Sequence, residues 1–143
     1  MTSHVQVFVD TSQLIGEELV HDQWREAALL AADATEEMQR VTSEGVFQEL
    51  LAHFARASGE DRSSIAATVR GMQADARVIV VRHTPALLAA ALDLYDGEFR
   101  HTRLSYQDCI AIQIMRDLEI DTILTADQEF AVAGVTPLLR RYG

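Results

Sequence analysis

Four carboxylates in this chain sit where a metal-dependent hydrolase would need oxygen ligands. Asp10 ends the apolar run VQVFV, and Glu49 lies in the helical stretch VFQELLAHF. Asp108 opens the helical stretch SYQDCIAIQIM, and Asp127 follows a short apolar run in TILTADQEF. Two carboxylates about 5 Å apart repel by roughly 3 kcal/mol at an effective dielectric near 20. Four such groups make six pairs, so an uncompensated cluster costs on the order of 10 kcal/mol. A pocket of that kind takes up protons or binds hard cations. Oxygen-only ligands select magnesium or manganese over zinc. One or two such ions lower the pKa of a bound water and stabilise charge on a phosphate during in-line displacement.

Taken singly, three of the acids have structural explanations. Asp10 fits a turn or a helix cap. Asp108 lies three residues after Ser105, the spacing of a capping box with aspartate in place of glutamate. Asp127 fits the cap of the turn that follows it. Glu49 is harder to dismiss, because its helical neighbours include Gly45, Val46 and Ala52, and burying an unpaired carboxylate is costly. The histidines at 4, 21, 53, 83 and 101 are scattered, with no zinc-type spacing.

The elements that would gather these acids follow from periodicity. Val5 to Val9 reads as a buried strand, as does RVIVV at Arg77 to Val81. Shorter strands are expected at Arg40 to Thr42, Thr122 to Leu124 and, at an edge, Thr136 to Leu139. Helices are predicted over Thr11 to Leu19, weakened by Gly16, and over His21 to Asp33. Ser43 caps another running to Ala57, which Gly59 ends, and Asp61 or Ser63 starts the next, reaching Asp75. Thr84 and Pro85 open a helix to Tyr95, since proline needs no amide hydrogen in the first turn. A polar loop covers Asp96 to Leu104, a helix spans Ser105 to Leu118, and a helical turn spans Gln128 to Ala133. Alternating strands and helices imply a three-layer α/β/α sandwich with a mostly parallel sheet. Ligands of open sheets bind outside the carboxyl ends of the strands, where Asp10 and Asp127 fall.

The chain has 143 residues, 48% of them hydrophobic, which suits one domain over 1–143 with a full core. No repeat or linker divides it, no run is long enough to span a membrane, and the first residues lack a secretion signal. Cys109 has no second cysteine to pair with and reads as a small buried thiol. A cytoplasmic location is the expectation. The net charge of −10 opposes nucleic-acid binding, because phosphate affinity comes from basic groups. Two divalent ions would bring it to about −6. All twelve basic residues other than histidine are arginine, whose fork can bind two phosphate oxygens.

Other carboxylate-based sites fit less well. A receiver domain needs a lysine, and the chain has none. A haloacid-dehalogenase-like phosphatase needs aspartate two residues after the first, where Ser12 stands, and an integrin-type site needs serine where Leu14 stands. Glycine runs for a phosphate loop are absent.

Over essentially its full length the chain resembles PIN-domain ribonucleases, in particular VapC-like toxins of toxin–antitoxin pairs. The resemblance is carried by VFVDTS, VTSEGVFQELL, LSYQDCIAIQIMRDLEIDTILTADQEF and AGVTPL, in that order. It implies that Asp10, Glu49, Asp108 and Asp127 hold Mg2+ or Mn2+ and carry catalysis. Thr11 or Ser12, and Thr125, fall where such proteins use a hydroxyl to orient an acid or a water; Glu44 ranks below Glu49. The implied substrate is RNA, and the implied partners are a second copy of the chain, as a homodimer, and a small antitoxin protein. Arg100 and Arg103, just before Ser105, are candidate phosphate contacts. The alternative is a PIN fold that acts as a binding module with weak or no nuclease activity.

Overall fold

The chain alternates strands and helices around one sheet. The computed structural model describes residues 5–140, so His4 lies outside the described residues. The elements are β1 (Gln6–Val9), α1 (Thr11–Glu18), α2 (Arg25–Ala34), β2 (Gln39–Ser43), α3 (Glu44–His53), α4 (Gly59–Ala74), β3 (Val78–Val81), α5 (Pro85–Asp96), α6 (Tyr106–Asp117) and β4 (Thr122–Leu124), then a 3-10 helix over Gln128–Ala133 and β5 (Thr136–Pro137). The strands order as β3-β2-β1-β4-β5, and every pairing is parallel. This is the expected α/β/α architecture, with a sheet parallel throughout.

β1 is the central strand, and its Val7, Phe8 and Val9 are fully buried. A strand covered on both faces reads as a continuous apolar run, which is why VFV marks it. Leu50, Ile112, Ile123, Leu124 and Phe130 are also fully buried, and each such side chain contributes about 1.5–3 kcal/mol. Cys109 is buried, as its neighbours imply.

Helix starts follow the expected caps. Ser43 Oγ accepts from Val46 N, and Thr84 Oγ1 accepts from Leu87 N with Pro85 in the first turn. The run expected as a buried strand at Arg77 to Val81 forms β3, which is only half-buried because it lies at the sheet edge with a neighbour on one side. Helix boundaries differ most in two places. α2 starts at Arg25 rather than His21, because Asp22 Oδ2 accepts from Trp24 N and turns the chain there. α3 stops at His53, and Gly59 begins α4 instead of ending α3, because Ser58 accepts from Asp61 N and is the cap.

Candidate active site

Parallel pairing puts the ends of β1, β2, β3 and β4 along one edge of the sheet. Val9 is in register with Leu124, so Asp10 and Thr125 leave the sheet side by side. Asp10 N extends the ladder by donating to Leu124 O at 3.1 Å. Asp10 occupies the cap position of α1, yet its side chain makes no capping hydrogen bond. Its Oδ2 accepts instead from Thr125 Oγ1 at 2.8 Å. Capping therefore does not explain this aspartate.

The hydroxyls beside Asp10 have one consistent proton order. Thr125 spends its only hydrogen on Asp10, so across the 3.3 Å contact Ser12 Oγ donates to Thr125 Oγ1. Ser12 in turn accepts from Ala126 N at 3.0 Å, and Thr125 Oγ1 accepts from Asp127 N at 3.2 Å. Two hydroxyls and two amides thus fix the Asp10 carboxylate from the β4 side. Thr11 differs: its hydroxyl is buried without a hydrogen-bond partner. It lies near enough to Glu49 to favour that carboxylate, but the contact falls short of hydrogen-bond geometry.

The Asp10 carboxyl is pushed up to about 7, first by burial and further by the charges of Asp108 and Glu49. Its side chain is partly open to solvent, but enough protein surrounds it for desolvation to prevail over the Thr125 hydrogen bond, which acts downwards. Glu49 is raised by partial desolvation and then by Asp108. Asp108 is raised by partial burial and by Asp127, against the hydrogen bonds from Ser105. The charges of Asp10, Glu49 and Asp108 thus act on one another, and that of Asp127 acts on Asp108. Glu49 itself lies on the exposed side of α3, so the cost of full burial does not apply to it. Its place in the centre rests on its coupling to Asp10 and Asp108.

Two acids also serve the structural roles read for them. Ser105 Oγ accepts from Asp108 N at 3.0 Å, while Asp108 Oδ2 accepts from Ser105 N at 2.9 Å, a complete capping box. Asp127 Oδ1 accepts from Glu129 N at 2.9 Å. These caps hold each carboxylate at the start of its helix, where it faces the strand ends.

One contact at this edge has no signal in local spacing. Ser43 is in register with Val81, which brings Glu44 beside His83. His83 N donates to Glu44 Oε1 at 2.7 Å, and Gly45 N donates to His83 Nε2 at 3.1 Å. Glu44 therefore clasps α3 to the β3 end. His83 could have been found by noting that RVIVV ends just before it. Between α3 and α6, Gly45 sits against the Gln107 amide, where any Cβ would overlap Gln107 Oε1 and Nε2.

Chemically the centre presents oxygen donors. Among the described residues no three acid, histidine or cysteine side chains converge as a finished ligand set. Even so, a carboxylate largely enclosed by protein, held by a hydroxyl and raised by two other acids, suits a hard cation, whose charge would oppose these shifts.

The comparisons agree with this fold. The PIN domain family model matches residues 7–135. The crystal structure of Mycobacterium tuberculosis VapC20, described as a Sarcin-Ricin loop cleaving toxin, superposes with a TM-score of 0.79 at 23% identity, covering 94% of this chain and all of that one. FitAcB from Neisseria gonorrhoeae superposes with a TM-score of 0.63 at 14% identity, covering 93% of this chain and 96% of that one. No curated protein matches the chain in sequence. With nearly its whole length matched and its acids gathered at one edge of a parallel sheet, the chain belongs to the PIN domain family.

Proposed function

We propose that this chain, as one domain over 1–143, is an endoribonuclease dependent on Mg2+ or Mn2+ and the toxin of a toxin–antitoxin pair. The observation that carries this reading is the Asp10 carboxyl, raised to about 7 by burial and by Asp108 and Glu49 while tied to Thr125. Asp10, Glu49, Asp108 and Asp127 would hold the ion. When bound, it supplies positive charge that acidifies water and stabilises negative charge on a phosphate. Thr125 and Ser12 keep the Asp10 oxygens oriented, and the Ser105 cap does the same for Asp108. The PIN family and the toxin described for VapC20 support the reading.

An acidic centre also suits a basic side chain from an inhibiting antitoxin, by charge complementarity. Association with such a protein, and homodimerisation, belong to the same proposal. Among the described residues no helix is long and apolar enough to cross a membrane.

The test is cleavage of total RNA by the purified chain with magnesium, with EDTA, and as the Asp10→Asn variant. Cleavage only by the unsubstituted chain with metal is expected. Cleavage that survives both EDTA and Asp10→Asn would sink the mechanism. The rival, a PIN-fold binding module, draws on the acids not converging as a finished ligand set. It predicts RNA binding with weak or no cleavage under any metal.

A further inference from the structure

A cleft of about 420 Å³ opens beside the acidic centre, between the end of α5 and the loop leading to α6. Tyr95, Asp96, Phe99, Arg100, Arg103 and Ser105 line it. Ser105 belongs to both places, because its N–H is bound by the Asp108 carboxylate. The cleft therefore begins where the acids end. The Arg103 amide donates to Glu129 Oε1 at 3.3 Å, which fixes the loop against the segment following Asp127.

Three features of the lining point to one ligand chemistry. Tyr95 is 48% exposed, a flat ring open to a stacking partner. Arg100 and Arg103 are exposed and, among the described residues, form no ion pair. The neighbouring Arg116 is instead held by Glu98 and lies over the Phe99 ring, which is buried. Asp96 is the only acid in the lining, against two unpaired guanidinium groups. The larger cavity, of about 730 Å³, lies at the other end of the strands, by the first residues of β2 and β3, and its acids Glu17, Glu18, Glu36, Glu37 and Asp75 outnumber Arg40 and Arg77, which are paired with Glu17 and Asp75. Phosphate would be repelled there. Another cavity also holds two arginines, Arg62 and Arg70, but its aromatic ring, Phe54, is buried. On a chain of net charge −10, the cleft at Tyr95 joins an exposed ring and two arginines to the candidate catalytic acids.

We propose that this cleft is a nucleotide subsite, which takes the residue next to the cleaved bond of a single-stranded RNA. Tyr95 stacks on its base, and Arg100 and Arg103 bind the phosphates on either side. Aromatic stacking accepts any base, so this subsite supplies affinity and direction of the strand rather than sequence choice. The inference rests on the nuclease reading.

The test measures anisotropy of a short fluorescein-labelled single-stranded RNA of mixed sequence, with magnesium, on the Asp10→Asn chain. Adding R100A and R103A together should weaken binding at least tenfold. It should also reduce the slope of log affinity against log salt by about 1.4, since each single-strand phosphate contact contributes roughly 0.7. Adding Tyr95→Ala should cost about tenfold, while Tyr95→Phe retains affinity because the ring remains. Arg140→Ala, at a different cavity, should change neither quantity. Thermal unfolding of each variant separates lost contact from lost fold, and the exposed arginine pair keeps the test informative if Tyr95→Ala misfolds. RNA bound with unchanged affinity and salt slope in the arginine variant would overturn the subsite and leave the nuclease reading intact. If the Asp10→Asn chain binds no RNA and the unsubstituted chain cleaves none, the nuclease reading itself fails.

Discussion

Thr125 Oγ1 donates to Asp10 Oδ2 at 2.8 Å across 115 residues of sequence. The bond joins the ends of β4 and β1 at a carboxylate raised to about 7. It favours the charged form of Asp10, so its loss moves the carboxyl further up. Thr125→Val should reduce cleavage at least tenfold near pH 7 and shift the acidic limb of the pH profile to higher pH. Thr125→Ser should restore both. An unshifted profile in the valine variant would show that the hydroxyl does not act on Asp10.

Stability without divalent ions should fall as pH rises from about 4 to about 7. The folded Asp10 carboxyl ionises near 7, whereas the unfolded one ionises near its ordinary value of 3.8. Between those limits the folded state holds the extra proton, so raising pH favours unfolding. Glu49 and Asp108 are shifted in the same direction and add to the slope. Asp10→Asn should flatten this part of the Tm–pH curve and raise Tm at pH 8. A Tm of the unsubstituted protein that climbs from pH 5 to pH 8 would contradict the sign.

Magnesium or manganese should raise Tm in a concentration-dependent way, because an ion that binds only the folded state stabilises it by mass action. The rise should be larger at pH 8 than at pH 5.5, where protons compete for the same oxygens. Asp10→Asn should remove most of it. Differential scanning fluorimetry with each metal reads this directly.

Glu44 and Glu49 should separate cleanly despite being five residues apart. Glu44→Ala deletes the acceptor of the His83 amide and should cost about 1–3 kcal/mol of stability with cleavage changed little. Glu49→Ala, on the exposed side of α3, should leave Tm nearly unchanged and reduce cleavage by orders of magnitude. Denaturant unfolding and a cleavage assay on both variants distinguish the roles.

Ser105→Ala should do two things at once. It removes the acceptor of the Asp108 amide, a cap worth about 1 kcal/mol, and it removes the Ser105 hydroxyl, whose nearness helps to hold the Asp108 carboxyl down, while the bond from the Ser105 amide to the carboxylate remains. Lower stability together with an Asp108 that titrates at higher pH, seen by NMR of the labelled carboxyl, is the expected pair of effects.

Much of this was legible because the strands are parallel. VFV announces a buried strand by its apolar run, whereas RVIVV announces a strand but not its half-buried place at the sheet edge. The rule that open parallel sheets bind ligands at strand ends then selects Asp10 and Asp127. Asp108 was equally legible as a cap, and the capping box is complete. What local patterns could not supply was register. The pairing of Val9 with Leu124 and of Ser43 with Val81 decides that Thr125 meets Asp10 and that His83 meets Glu44. Register is a long-range property, and no window of sequence contains both partners. Helix limits near His21 and Gly59 failed for a local reason: side chains of Asp22 and Ser58 bound the backbone first.

The central position of β1 has a consequence for synthesis. It pairs with β2, which follows within the first third of the chain, and with β4, which comes only after residue 121. Chains emerge from the ribosome amino end first. A nascent chain that has reached the end of α4 already carries Asp10 and Glu49 but neither Asp108 nor Asp127. An enzyme that attacks RNA would thus be inert while it is still being translated, and would arm itself only when the last quarter of its own message has been read.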